Sequence, residues 1–278
     1  MKSKNIVSVL IASVVVGFSP VNAITVNFSQ EEGYKDGLLN HNPNWKSKQW
    51  LIDSASGTAT DDGYDDAIYV SQSQKYRAGY RYTVSATFSF EEASMAPNKE
   101  KWKALFNVGF INTTALDSAE KMNSIRLSLD RYNKQYIVDI QSDYGSAEGD
   151  NVKGSGGHSQ SAPFSSESIG ISRDTADMTS DQIRLVMIIT AGETMNEWNC
   201  DSTIYNTDTG KIVTSFSTTG LTFDAEKIYG VMGIGHSKSN AVVGERRVHS
   251  FSFSADGLST NQSYAWLWKG WLFSSLFY

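Results

Sequence analysis

From Ile24 to about Asp256, apolar and polar residues alternate with a period of two rather than at helical spacing. The cleanest run sets Tyr82, Val84, Ala86, Phe88 and Phe90 against Arg81, Thr83, Ser85, Thr87 and Ser89. One face of that strand is oily and the other wet. Ile125, Leu127 and Leu129 repeat the pattern against Arg126, Ser128 and Asp130, as do Ile183, Leu185, Met187 and Ile189. His249, Phe251, Phe253 and Ala255 are expected to continue it near the end. Shorter strands are expected around Thr25 to Phe28, Gln49 to Ile52, Ala67 to Val70, Ala104 to Ile111, Tyr136 to Ile140 and Ile228 to Ile234. Strands Ser202 to Asn206 and Lys211 to Ser217 flank Thr207-Asp208-Thr209-Gly210, where Asp tolerates turn geometry and Gly supplies a positive φ, so a hairpin is predicted.

Long strands with one solvated face belong to antiparallel sheets. About a dozen of them bury their apolar faces only if two sheets stack or one closes, and their irregular lengths favour an all-β, two-sheet antiparallel sandwich over a barrel. The stretch from Gly145 to Ser180, rich in Ser and Gly, is the longest without a regular period and reads as a functional or mobile loop. Neither side of it carries enough strands for a sandwich of its own, so a single domain is expected. No 20 to 50-residue repeat points to a solenoid or propeller.

The termini differ from this pattern. Lys2 and Lys4 precede an apolar run from Ile6 to Phe18, followed by Pro20 and Val21-Asn22-Ala23. This is the form of a secretory signal peptide over residues 1–23, with cleavage after Ala23; the run is shorter than the roughly 20 apolar residues that span a bilayer. Residues 24–256 then form the sandwich and 257–263 a polar linker. Residues 264–278 form a tail with five aromatics in its first ten positions and Lys269 as its single charge. Trp and Tyr settle at membrane interfaces, so surface or membrane association and packing back on the domain both remain open for that tail.

Composition narrows the function. Only 19% of residues are charged, while 38 Ser and 19 Thr make up about a fifth of the 278 residues. The net charge is −6, and loss of Lys2 and Lys4 with the leader makes it −8. An acidic chain lacks the electropositive face that nucleic acid requires. Cys200 stands alone and reads as a buried thiol.

The order of elements resembles the concanavalin A-like lectin/glucanase superfamily, including laminin-G-like modules. The residues carrying the resemblance are Phe28 with Glu32-Gly33-Tyr34-Lys35-Asp36-Gly37, then Trp50, Tyr82-Thr83-Val84-Ser85-Ala86, the Asp208-Thr209-Gly210 hairpin and Val248-His249-Ser250-Phe251-Ser252-Phe253. The resemblance implies a two-sheet jelly roll in which one curved sheet faces carbohydrate. It leaves the activity open among sugar binding, glycan cleavage and adhesion.

Catalysis finds little support. The Glu-x-Asp-x-x-Glu pattern of the glucanase branch is absent, as is the Gln-x-His segment of the lyases of this fold. Glu31 and Glu32 are adjacent and would face opposite ways on a strand. Glu193 and Glu197 fall where a strand turns, and His158 and His236 sit in Gly/Ser-rich surroundings. Asp61, Asp62, Asp65 and Asp66 crowd around Gly63 and read either as a calcium site, since Ca²⁺ accepts six to eight oxygens from irregular loops, or as a plain acidic turn. Trp45, Trp102, Tyr144 and Trp198 lie in or beside irregular segments and are the candidate rings for stacking on a pyranose. The resulting expectation is an exported glycan-binding or surface-associated module. A polysaccharide-degrading enzyme of the same fold and a non-catalytic adhesive protein are the alternatives.

Overall fold

The computed structural model describes residues 23–61, 66–92, 103–116, 123–132, 135–144, 162–172, 178–195, 197–233 and 243–256. Among these, the first strands are β1 (Ile24–Val26), β2 (Gly37–Leu38), β3 (Trp45–Lys46), β4 (Trp50–Asp53), β5 (Thr58–Asp61), β6 (Asp66–Tyr69), β7 (Gln74–Lys75) and β8 (Arg81–Glu92). There follow β9 (Lys103–Ile111), β10 (Asn123–Tyr132), β11 (Gln135–Tyr144), β12 (Ala162–Phe164), β13 (Ile183–Ala191), β14 (Trp198–Asn206), β15 (Lys211–Leu221), β16 (Lys227–Gly233) and β17 (Val243–Asp256). Two antiparallel sheets result. The nine-stranded sheet runs β15-β14-β13-β8-β17-β5-β4-β2, with β1 also on β17; the eight-stranded sheet runs β12-β11-β10-β9-β16-β6-β3, with β7 also on β16. Neither sheet closes on itself, so the molecule is the predicted sandwich.

Alternation decides which face goes inside. On β13, Ile183, Leu185, Met187 and Ile189 are fully buried while Arg184 between them is exposed. On β10 of the facing sheet, Ile125, Leu127 and Leu129 point into the same interior. Aromatic rings join the layers: Phe88 on β8 stacks on Phe106 of β9 with centroids 4.5 Å apart, and Phe110 meets Phe253 at 6.2 Å. Tyr136 lies between Phe90 and Phe164, at 5.8 and 5.7 Å. Each such ring, moved wholly out of water, contributes about 1.5–3 kcal/mol.

The predicted hairpin is present. Asn206 pairs with Lys211, Gly210 takes a φ of +70°, and the Asn206 side-chain oxygen accepts from the Thr209 amide at 3.0 Å. Two expectations need correction. A register shift between Val248 and Ser250 on β17 puts Val248 in the interior in place of His249, whose ring instead hydrogen-bonds Ser89 Oγ at 2.8 Å. A bulge breaks the period of two, and the sequence alone does not reveal it. The expected loop from Gly145 to Ser180 also contains order. Residues 162–164 extend the second sheet as β12, and Phe164, Ile169 and Ile171 enter the interior.

Cys200 is buried on β14, where desolvation pushes its thiol up to about 12. The native protein is therefore expected to resist thiol-reactive reagents, with one equivalent titrating only after denaturation. A pH effect is also expected. Burial first, and Arg247 second, hold His249 below the ordinary value of 6.5, while Asp208 opposes them. The unfolded state then binds the proton first, so this stability is complete above about pH 6.5 and is lost as pH falls through the folded value. Thermal melts across this range should show a fall in Tm that is shallower in His249→Gln.

Candidate functional site

The outward face of the eight-stranded sheet carries polar side chains that its interior face lacks. Pairing sets Asp66, Gly233, Asn107, Ser128 and Asp139 side by side across β6, β16, β9, β10 and β11. The adjacent row is Lys46, Ile68, Val231, Gly109 and Arg126, across β3, β6, β16, β9 and β10. Neighbouring strands lie about 4.8 Å apart, so these residues form a lattice of contacts that no local motif announces.

Arg126 organises the cluster. Its Nη1 donates to Asp66 Oδ1 at 2.7 Å and its Nη2 to Asp66 Oδ2 at 2.9 Å. Nη1 also donates to Asn107 Oδ1 at 3.2 Å, and Nε to Ser124 Oγ at 3.1 Å. The two charged side chains are only 10% and 18% exposed, so the pair sits largely out of water. Two glycines make room for it. A β-carbon on Gly109 would stand 2.2 Å from the Ile125 carbonyl oxygen and 2.8 Å from Arg126 Cα. One on Gly233 would stand 2.6 Å from Asp66 Oδ1 and 2.8 Å from Asn107 Oδ1. Beside this polar group lies a small apolar patch on the same face, in which Ile68, Ile111 and Val231 are covered by Val70, Leu116 and Tyr229.

Chemically the cluster suits hydroxyl recognition. A carboxylate oxygen has two lone-pair directions, so a bidentate guanidinium does not exhaust Asp66 as an acceptor. Asn107 offers both a donor and an acceptor, and both side chains are fixed by their neighbours rather than free to rotate.

The aromatic residues expected to stack on sugar are placed differently. Trp45 is 2% exposed, donates from Nε1 to Tyr34 Oη at 2.9 Å, and packs against Phe28, Tyr69 and Phe251. Trp198 is 1% exposed, donates to the Met195 and Phe223 carbonyls at 2.8 Å, and packs against Tyr76 and Tyr82. Neither is a surface platform, because both rings are almost wholly buried among other aromatics. Tyr144 ends β11 opposite Asn123, and Trp102 lies outside the described residues. Glu193 and Glu197 are exposed at the β13–β14 turn.

In the acidic segment, both Asp66 oxygens accept from the Arg126 guanidinium. Asp61 ends β5 opposite Trp50, while Asp62 and Asp65 lie outside the described residues. Among the described residues no three His, Cys, Asp or Glu side chains converge as metal ligands do.

No protein-family profile matches the chain, and no curated protein sequence does either. Solved structures do share its fold. Basic winged bean lectin with Tn-antigen superposes with a TM-score of 0.53 at 10% identity, covering 84% of this chain and 98% of that one. Winged bean acidic lectin complexed with methyl-α-D-galactose gives 0.50 at 11% identity, again over 84% and 98%. The chain has the concanavalin A-like lectin/glucanase fold that its element order resembles.

The ion pair yields a stability prediction. Asp66→Asn strands a mostly buried guanidinium and is expected to cost about 2–4 kcal/mol in denaturant unfolding, whereas Asp66→Leu combined with Arg126→Met recovers most of that loss. Trp45→Ala is expected to cost about 3–5 kcal/mol in the same measurement, as a core truncation does.

Proposed function

We propose that this chain is a carbohydrate-binding module that holds its ligand on the outward face of the eight-stranded sheet. The observation that carries the reading is the fixed group of Asp66, Asn107 and Arg126 on that face, packed against Gly109 and Gly233, where a β-carbon would displace it. The fold is consistent with it, since both winged bean lectins named above are complexed with sugars. Rigid acceptors and donors recognise hydroxyls well because little side-chain freedom is lost on binding.

The proposal includes export through residues 1–23 and retention at a surface through the aromatic segment 264–278; both parts rest on the sequence. An acidic, hydroxyl-rich protein outside the cell meets glycans more readily than it meets nucleic acid.

Affinity electrophoresis in polysaccharide gels and a glycan array test the reading. The wild-type protein should be retarded by at least one glycan. Asn107→Ala should weaken that retention about tenfold, the equivalent of one lost hydrogen bond of about 1.4 kcal/mol, while leaving the Asp66–Arg126 pair in place. Absence of retention for every glycan would discard the proposal.

A further inference from the structure

A depression opens at the β3 edge of the same sheet. It measures about 590 Å³ and is bordered by Asn40, Lys46, Ser47 and Thr114 on its polar side and by Val70, Ala115 and Leu116 on its apolar side. That volume lies within the range of small-ligand clefts, roughly 300–1,000 Å³. Three features single it out. Ser47 is 5% exposed, and its Oγ is buried without a hydrogen-bond partner. A hydroxyl held this way is destabilising unless something binds it. Lys46 stands beside it on β3, exposed, directly across from Ile68 of β6, and makes no ion pair among the described residues. Finally, among the described residues no acidic side chain borders the depression, although the chain as a whole has 30 acidic residues against 24 basic ones.

We infer that this cleft binds an anionic sugar unit, a hexuronate of a glycan chain, with Ser47 Oγ and Asn40 on its hydroxyls and Lys46 on its carboxylate. Val70, Ala115 and Leu116 present the apolar wall that a pyranose C–H face covers. Its position fits an extended ligand. Asp66 and Ile68 share the outward face of β6, and Val70 follows just beyond the strand, so the cleft lies roughly 13 Å along the sheet from the Asp66–Arg126 cluster, at about 3.3 Å per residue. The inference extends the glycan reading to a second position and is tested separately from it.

Calorimetry with di- and trisaccharides of galacturonate and glucuronate, and with their neutral hexose counterparts, supplies the test. The acidic series should bind and the neutral series should bind at least fivefold more weakly. Ala115→Trp, which fills the cleft from its rim, should abolish binding of the acidic series. Ser47→Ala should weaken it severalfold while leaving the Tm of the free protein unchanged or raised, because the substitution removes an unsatisfied hydroxyl. Lys46→Gln should equalise the two series and remove the salt dependence. Equal binding of acidic and neutral sugars by the wild type, no binding of either, or binding that survives Ala115→Trp would overturn the inference. Loss of gel retention in Asn107→Ala with galacturonate binding intact would separate the two positions.

Discussion

Each sheet in this protein has one face committed to a shared apolar interior, and the placement of every other side chain follows from that commitment. The stacked rings of Phe88 and Phe106 mark where β8 and β9 meet across the interior. Once Phe106, Val108 and Phe110 point inward, Asn107 and Gly109 must point outward, since adjacent strand residues face opposite ways. The same logic turns Arg126 outward between Ile125 and Leu127. The polar cluster is therefore a consequence of how the interior packs. Its chemistry depends on the sandwich remaining in register, because a slip of one residue would exchange the two faces.

The outward face of the eight-stranded sheet is unusual for a wet surface. Ser124, Arg126, Ser128 and Asn107 are all less than a tenth exposed, and Ile68, Ile111 and Val231 beside them are wholly buried. A charge in such surroundings persists only with a partner, and Arg126 has one in Asp66. The pair costs desolvation, so its contribution lies in fixing geometry more than in stability. Four side chains are locked by it: Asp66, Asn107, Ser124 and Arg126 itself. A face built this way suits recognition by hydrogen bonding, where orientation matters more than area.

Much of the fold was legible because a period of two survives in long strands. β8, β10 and β13 lie where the alternation places them, and the hairpin at Thr207–Gly210 follows from turn chemistry. The two tryptophans depart from their expected exposure for different reasons. Trp45 sits on a strand of two residues, too short to show any period, and only tertiary contacts with Tyr34 and Phe251 reveal its burial. Trp198 did carry a signal: it is in phase with Cys200, Ser202 and Ile204, all inward on β14. The polar cluster was invisible because Asp66 and Arg126 are 60 residues apart and meet only through the strand order β6-β16-β9-β10. The nearest local hint was Gly109 within an apolar strand, a residue that marks close approach of another group.

Charge is distributed unevenly over this molecule. The chain carries an acidic excess that repels polyanions at long range, but screening confines that repulsion to about 8 Å at physiological salt. Within that distance a local cation decides. Arg126 is matched by Asp66, so its charge is largely neutralised where it stands. Lys46, in the same cross-strand row and exposed at the sheet edge, makes no ion pair among the described residues. One end of the face is thus electrically balanced and rich in hydrogen-bonding groups, and the other is cationic and partly apolar. On the proposed reading, a chain of sugars, polar along its rim and apolar on its ring faces, meets both ends at once.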